Sequence, residues 1–178
     1  MSEAELLARC RAGDNGAFAE LIAPQRERAW NVALRITGNR HDAEDALQNA
    51  LIAAWQGIDK FGGQARFGTW FYRVVSNAAL QIHRRRASGV TTDFVDPADL
   101  HDFSSQATPS VADRVVDADA VRRALAALPD DFREAIVLRE FADMSYAEIA
   151  EHQQIGVQTV KSRINRARTQ LVAMLQPA

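Results

Sequence analysis

A single cysteine, Cys10, occurs in the 178 residues, so the chain can form neither an internal disulfide nor a metal cluster held by cysteines. We expect Cys10 to be a small core residue of the first helix. No apolar run approaches the roughly 20 residues that span a bilayer, and the acidic N-terminal segment is no secretory signal. These absences predict a cytoplasmic protein without membrane insertion.

The sequence also lacks the alternation of polar and apolar residues that marks β-strands. Apolar residues recur instead at spacings of three and four, as between Ala43 and Ala54, while glycine and proline fall between such segments. Apolar residues make up 47% and charged residues 25%, as in ordinary globular proteins. The sequence therefore predicts an all-α fold.

Residues 88–112 carry no helical period and are rich in serine, threonine, proline and aspartate. This composition predicts a flexible acidic linker between two small helical domains, residues 1–87 and 113–178. The predicted helix starts and stops of the first domain are caps at Ser2, Asn15 and Asn39, ends at Gly13 and Gly38, and a break at Pro24. A long helix should follow over about 69–86. The second domain should contain helices over about 115–128 and 132–141 before the segment described next.

Residues 144–168 have the pattern of a helix-turn-helix. Ile149 and Ala150 face inward on the first helix, Ile155 closes the turn, and Val160 and Ile164 face inward on the second. The outer faces of the second helix carry polar side chains that can reach phosphates and base edges in a major groove. These side chains are Gln158, Thr159, Lys161, Ser162, Asn165 and Arg166. DNA binding is therefore the first hypothesis.

The net charge of −2 conceals two basic segments without acids. Residues 60–92 contain six Lys or Arg, and residues 152–178 contain four. Residues 93–119 between them contain seven acids and one Arg. Because local patches decide where an anion binds, this pattern favours two DNA contacts separated by a spacer that avoids the duplex.

The first basic segment interleaves aromatics with glycine and arginine. Its aromatic residues are Phe61, Phe67, Trp70, Phe71 and Tyr72, between Lys60 and Arg84–Arg86. Aromatic faces can stack on unstacked bases while cations hold the backbone. The alternative is that part of this set is core, which we expect of Phe71 and leave open for Trp70. The segment favours binding of single-stranded or melting DNA.

The helix predicted over residues 42–55 has a different chemistry. It presents Asp42, Asp45, Gln48 and Asn49, which do not favour phosphate and suit a basic protein partner. The alternative is a solvated helix face with acids placed favourably near an N-terminus.

In this order the features resemble regions 2 and 4 of the bacterial sigma-70 family. The resemblance to region 2 lies in the segments Asp42–Trp55 and Phe61–Arg73, in Asn77 and in Arg84–Arg86. The resemblance to region 4 lies in the segments Leu128–Pro129, Arg133–Glu134, Leu138–Glu140, Ser145–Ala150 and Val157–Arg168. Since only these two regions occur, joined by a short linker, the chain resembles the extracytoplasmic-function (ECF, group 4) sigma factors.

The resemblance implies roles for particular residues. Asp42, Asp45, Gln48, Asn49 and Trp55 would bind the β′ clamp helices of RNA polymerase core, whose β subunit is a further expected partner. The Phe61–Phe67 loop with Asn77 would hold a flipped base of the −10 element. The full set implied for −10 DNA is Lys60, Phe61, Arg66, Phe67, Trp70, Arg73, Asn77, Arg84, Arg85 and Arg86. The outer face of the recognition helix would read the −35 element, with Arg139 touching phosphate. An anti-sigma factor would cover these surfaces until a signal arrives.

Several positions depart from the family pattern. Asn49 stands where the family often has Glu, and Gln81 stands near its usual Asp. In the turn of the helix-turn-helix, Gln153 and Gln154 replace a large apolar residue and a glycine, and Gly156 replaces a frequent proline. A non-glycine residue at positive φ costs about 1 kcal/mol or more. We expect a reshaped turn or a destabilised second domain, without loss of DNA binding.

Nothing in the sequence argues for catalysis, a cofactor or a small-molecule substrate. The four histidines, His41, His83, His101 and His152, form no metal-spaced pair, and no glycine-rich phosphate loop occurs. A stand-alone helix-turn-helix regulator would explain the second domain but not the aromatic-basic segment of the first. A helical RNA-binding or RNase-like enzyme would explain the basic runs but not the acidic helix. A sigma factor accounts for all three features.

Overall fold

The computed structural model describes residues 1–89 and 111–176, with side chains described from residue 118 in the second part. The predicted linker at 88–112 lies almost entirely outside these residues. The described residues form α-helices and no strand, which confirms the all-α prediction. The helices are α1 (Glu3–Arg11), α2 (Asn15–Ile22), α3 (Arg26–Thr37), α4 (Arg40–Gly57), α5 (Phe67–Ala87), α6 (Val111–Ala127), α7 (Asp130–Phe141), α8 (Tyr146–Gln153) and α9 (Val157–Leu175). None of these helices is long and apolar enough to cross a membrane.

In the first domain, α1–α5, side-chain caps begin helices α1, α2 and α4. The predicted caps Ser2 and Asn39 are confirmed. The predicted cap of α2 at Asn15 is wrong, and the cap is Asp14. The Asp14 carboxylate accepts hydrogen bonds of 2.9 and 3.1 Å from the backbone N–H groups of the second and third residues of the helix. A charged carboxylate is also favoured at the positive end of the helix dipole. The predicted break at Pro24 is a short 3-10 turn between α2 and α3.

The first domain packs α3, α4 and α5 against one another. Helix α4 contributes four fully buried alanines, Ala43, Ala46, Ala50 and Ala54, which allow close approach of the neighbouring helices. Helix α5 contributes larger side chains, and both Phe67 and Phe71 are 0% exposed. Cys10 is buried in the same core, as predicted. The aromatic residues therefore serve the core more than the sequence pattern indicated.

The second domain, α6–α9, is built around the helix-turn-helix of α8 and α9. Ile149, Val160 and Ile164 are each 0% exposed, which confirms their predicted inward positions. The end of α8 is Gln154, at φ 57° and ψ 44°. Gln154 therefore adopts the left-handed conformation that glycine usually supplies at this turn, and a 2.8 Å hydrogen bond from Gln154 Nε2 to the Glu151 carbonyl holds it there. The expectation of a reshaped turn is corrected at this residue.

The two domains pack on each other, and their buried apolar residues form one continuous cluster. Helix α7 lies against α3 and α5 of the first domain. At one edge of this interface the Arg35 guanidinium stacks on the Phe141 ring, 5.1 Å from its centroid. A half-buried cation on an aromatic face contributes about 0.5–2 kcal/mol.

We predict that Gln154→Gly raises the free energy of unfolding by up to about 1 kcal/mol, because glycine adopts positive φ without steric cost. The loss of the side-chain hydrogen bond to Glu151 subtracts from this gain. Chemical denaturation of both proteins measures the difference.

The matched control is Gln170→Gly in the exposed part of α9, where glycine should destabilise by about 1 kcal/mol. If both substitutions destabilise equally, the conformation of the turn does not govern its stability.

Candidate nucleic-acid and polymerase interfaces

Helix α9 presents the predicted polar set on one outer face. All six residues are exposed: Gln158, Thr159, Lys161, Ser162, Asn165 and Arg166. The opposite face buries Val160, Ile164 and Ala167 against the rest of the domain, each at 0% exposure. The core therefore holds the helix rigidly while leaving its donors available to a DNA groove.

Tyr146, at the start of α8, lies between two cations. The Arg139 guanidinium is 4.6 Å from the ring centroid, and Lys161 Nζ is 5.8 Å from it. Arg139 also donates to the Met144 carbonyl at 2.9 Å. Arg139 is therefore held in place beside the exposed face of α9. The phosphate contact that the family resemblance implies for Arg139 would be made at this position.

The aromatic-basic loop differs from the expectation at two residues. Phe61 is 5% exposed and Phe67 is 0% exposed, and their rings meet edge to face at 6.0 Å. Neither ring offers a free face on which a base could stack in this structure. Trp70, whose position was left open, is half-buried against both rings. The two phenylalanines stand at the two ends of the loop, where both side chains belong to the hydrophobic core.

The exposed part of the loop and the neighbouring face of α5 carry the remaining candidates. Lys60, Arg66, Asn77 and Arg85 are all exposed. Within the described part of the chain, the three cations of this set have no ion-pair partner. They are the groups most available to a nucleic-acid backbone in this arrangement.

The other three cations of the implied −10 set, Arg73, Arg84 and Arg86, are paired with carboxylates. Arg86 pairs with Asp42 inside the first domain. Arg84 Nε lies 3.4 Å from the Asp130 carboxylate of α7, and the same Asp130 approaches His83. Burial and the nearby Arg133 guanidinium lower the pKa of His83.

Arg73 is held by the second domain. Its Nη2 atom donates to the Glu151 carboxylate at 2.9 Å and to the Glu148 carbonyl at 3.1 Å. The Glu148 carboxylate also accepts a 3.2 Å hydrogen bond from Thr69. In this arrangement Arg73 therefore contacts α8 and not a nucleic-acid backbone.

Helix α4 exposes most of its predicted polar face. Asp45, Gln48 and Asn49 are exposed. Asp42 is the exception, since its carboxylate is 13% exposed and is paired with Arg86 at the end of α5. The expectation that Asp42 belongs to the exposed face is therefore corrected.

Trp55, near the end of α4, is half-buried. Its ring meets Phe18 of α2 edge to face, with centroids 5.2 Å apart. This contact fixes the side chain while leaving one part of it at the surface, next to the exposed end of the helix.

A buried carboxylate connects the two domains. Glu134 of α7 is 5% exposed, and its Oε1 atom lies 2.6 Å from both Ser76 Oγ of α5 and His152 Nε2 of α8. Its Oε2 atom accepts a 3.0 Å hydrogen bond from Gln153. Gln153 in turn accepts from Arg163 of α9 at 3.1 Å. One chain of hydrogen bonds thus runs from α5 to the recognition helix.

Sequence reasoning did not assign Ser76, His152 or Glu134 to any contact. The first two had no visible partner because their sequence separations from Glu134 are 58 and 18 residues. One signal was available in the sequence. Glu134 stands among apolar residues, where a buried glutamate needs hydrogen-bond donors, and Gln153 stands where the family pattern has an apolar residue and can supply one.

The fold and its surfaces define a two-domain helical protein with a DNA-reading helix-turn-helix and an acidic helix beside an aromatic-basic loop. Comparison with known families gives two matches. Residues 21–89 match the sigma-70 region 2 model, and residues 118–171 match the sigma-70 region 4 model. The predicted domain limits of 1–87 and 113–178 stay predictions.

Relatives match over almost the whole chain. The ECF RNA polymerase sigma factor SigW of Bacillus subtilis is 33% identical over 177 residues, covering 93% of this chain and 92% of the relative. The RNA polymerase sigma-H factor of Pseudomonas aeruginosa is 34% identical over 182 residues, covering 97% and 93%. The chain therefore belongs to the ECF sigma factors of the sigma-70 family.

Solved structures share the fold. The structure of CnrH in complex with the cytosolic domain of CnrY matches with a TM-score of 0.71 at 28% identity, covering 96% of this chain and 94% of that chain. The sigma factor RpoE in complex with the anti-sigma factor NepR from Bartonella quintana also matches with a TM-score of 0.71, at 23% identity, covering 89% and 96%. The second likeness is one of fold.

The stability that the buried Glu134 carboxylate contributes should depend on pH. Burial raises the pKa of Glu134, but the hydrogen bond and charge interaction with His152, with the bonds from Ser76 and Gln153, outweigh it and leave this pKa below its ordinary value of 4.5. The carboxylate therefore stabilises the fold above pH 4.5, and this contribution is lost as pH falls through the folded-state pKa.

We expect Glu134→Gln to reduce the free energy of unfolding near neutral pH by about 1–3 kcal/mol. The gap between wild type and variant should narrow as the pH is lowered below 4.5. Urea denaturation at a series of pH values measures this gap. Glu27→Gln, on an exposed side chain of α3, is the control and should follow wild type throughout; a constant gap for Glu134→Gln would contradict the assignment.

Proposed function

We propose that this chain acts as an ECF-type sigma factor whose α4 binds RNA polymerase core while α5 and α9 read promoter DNA. The observation that carries the proposal is the combination, in one chain, of a presented recognition helix and an exposed acidic-amide face. A DNA-binding regulator needs only the first of these features. Matches to both sigma regions support the same assignment.

The core-binding surface is assigned to the exposed side of α4. Asp45, Gln48 and Asn49 offer acceptors to the β′ clamp helices, with Trp55 at the end of the same helix. Asp42 contributes through its pairing with Arg86, which joins α4 to the end of α5. The β subunit of core is the expected second polymerase contact.

The −35 surface is assigned to the outer face of α9. Its amide, hydroxyl and cationic donors suit base edges in the major groove, and Arg139 beside Tyr146 suits a phosphate. The −10 surface is assigned to the exposed loop tip, Asn77 and the adjacent cations. Phe61 and Phe67 act there by shaping the base of the loop, since their rings are buried.

Promoter opening follows from binding energy. Extruding a −10 base costs a few kcal/mol. Core polymerase supplies the surface on which the sigma factor docks. Contacts of α9 with the duplex then fix the position of the promoter DNA, and capture of the extruded base favours the open complex. No nucleotide hydrolysis enters this scheme, so we propose that the chain is not an enzyme and needs no cofactor.

The packed arrangement of the domains must open for this function. Arg73 and Arg84 are paired with carboxylates of the second domain, so they reach DNA only after those pairs separate. An anti-sigma factor that favours the packed arrangement would hold the chain inactive. The likeness to CnrH, solved with the cytosolic domain of CnrY, supports regulation by such a protein partner. We propose a cytoplasmic location, where core polymerase acts.

Run-off transcription tests the assignment. Core polymerase with wild-type chain should initiate at defined promoters of a genomic library, whereas Asp45→Arg should abolish this by placing a cation on the core-binding face. Binding of the Asp45→Arg chain to a duplex carrying the selected −35 sequence should be unchanged.

The control is Glu20→Arg, an equal charge change on exposed α2, which should transcribe as wild type does. If the folded wild-type chain selects no promoter, the sigma assignment is wrong. Equal loss of transcription and duplex binding in Asp45→Arg would refute the division between α4 and α9.

Substitution Arg166→Ala tests base reading by α9. If Arg166 contacts a base edge, discrimination between −35 variants should fall by about 1–3 kcal/mol at one position. Titration of holoenzyme against a panel of −35 duplexes measures this loss. A uniform loss over all sequences would reassign Arg166 to phosphate, and Arg123→Ala on α6 serves as the charge-matched control.

A further inference from the structure

Helix α1 contacts both ends of the loop between Phe61 and Phe67. Arg11 Nη2 donates a 2.8 Å hydrogen bond to the Phe61 carbonyl. The backbone N–H of Phe67 donates a 3.1 Å hydrogen bond to Glu3 Oε1. These partners are 50 and 64 residues apart in sequence, so α1 joins the two ends of the loop across the fold.

The contact with Glu3 replaces a helix cap. Helix α5 begins at Phe67, and its N-cap residue Arg66 makes no side-chain cap hydrogen bond. The first N–H groups of a helix lack partners within the helix, and a carboxylate is favoured at its positive end. Glu3 supplies both the acceptor and the negative charge from another helix.

The loop between these two points combines a fixed base with an exposed tip. Gly62, Gly63 and Gln64 are exposed, and Gly63 has a φ of 70°. The buried rings of Phe61 and Phe67 anchor the same two ends in the core. A glycine-containing tip has many accessible conformations, so the position of its ends limits the geometry that it can adopt.

We propose that Glu3 and Arg11 are positioning residues that pre-organise the 61–67 loop for recognition of a −10 base. The inference rests on the proposed role of this loop in −10 binding. Helix α1 lies before residue 21, where the match to the region 2 model begins. Neither side chain need touch DNA, because each acts through a backbone group at one end of the loop.

Pre-organisation has a measurable signature. A loop held in its bound conformation loses less conformational entropy on binding and rejects wrong bases more strongly. Releasing either end should therefore weaken base discrimination while leaving the −35 and core surfaces intact. Both Glu3 and Arg11 are exposed residues, so their removal should affect the loop more than the core.

The test uses holoenzymes assembled with wild type, Glu3→Ala and Arg11→Ala. The probe is a set of single-stranded oligonucleotides carrying the −10 sequence of a mapped promoter, with each of the four bases at each position. We expect the ratio of the best to the worst Kd at the recognised position to fall by about two- to tenfold in each variant, the range of one net hydrogen bond. Affinity for core and for the −35 duplex should not change.

Two further measurements separate positioning from general damage. Amide hydrogen exchange of Phe67 should accelerate in Glu3→Ala, and Arg11→Lys, which keeps a charged donor, should recover part of the discrimination. Glu20→Ala and Arg26→Ala are the charge-matched controls on exposed residues of α2 and α3, and both should behave as wild type.

The outcomes are distinct. If Phe67 exchange accelerates but base discrimination is unchanged, or if exchange is unaffected, the positioning role is wrong. If core affinity falls as much as discrimination, the effect is general damage and the role is again wrong. If the wild-type holoenzyme shows no base preference in the −10 set, the proposed −10 function of the loop fails, and the positioning role fails with it.

Discussion

The buried carboxylate of Glu134 is the group on which the arrangement of the molecule depends. It accepts hydrogen bonds from Ser76 of the first domain and from His152 and Gln153 of the second. A buried charge must keep its partners, because leaving one unpaired costs several kcal/mol. The two domains therefore separate only if water or other donors reach Glu134. The same group fixes the end of α8, so the interface and the helix-turn-helix share one polar centre.

The cations of the first domain that we assign to −10 DNA fall into two groups. Arg73 and Arg84 pair with carboxylates of the second domain, whereas Lys60, Arg66 and Arg85 have no ion-pair partner among the described residues. In the proposed −10 binding, DNA phosphates would compete with these intramolecular carboxylates for Arg73 and Arg84, because both acceptors form charge-assisted hydrogen bonds. In the proposed function, packing of the domains would thus reduce the affinity of this surface for DNA without covering all of it. Because Glu151 and Asp130 belong to the same chain, they supply the competing charge at no translational entropy cost.

Local patterns predicted much of the fold, and long-range pairs escaped prediction. The periods of α8 and α9 predicted the inward positions of Ile149 and Val160. The turn was expected to be reshaped because Gln154 stands in place of a glycine, but Gln154 keeps the left-handed conformation. The cap of α2 was misplaced by one residue because aspartate and asparagine are nearly equal caps and stand side by side. Phe61 and Phe67 were assigned to base contact, since composition alone does not reveal which aromatic faces the core. Contacts across 50 or more residues depend on tertiary packing and have no local signal.

Gln153 accepts a hydrogen bond from Arg163 while donating to Glu134, so three helices meet at one amide. The side chains at this junction are therefore expected to show strong epistasis. An apolar replacement of Gln153 alone would remove one hydrogen-bond acceptor of Arg163 and one donor to Glu134. Simultaneous apolar replacement of Glu134 and its donors would leave no polar group of this set without a partner. Replacing Gln153 and Glu134 together should therefore destabilise the chain by less than the sum of the two single replacements.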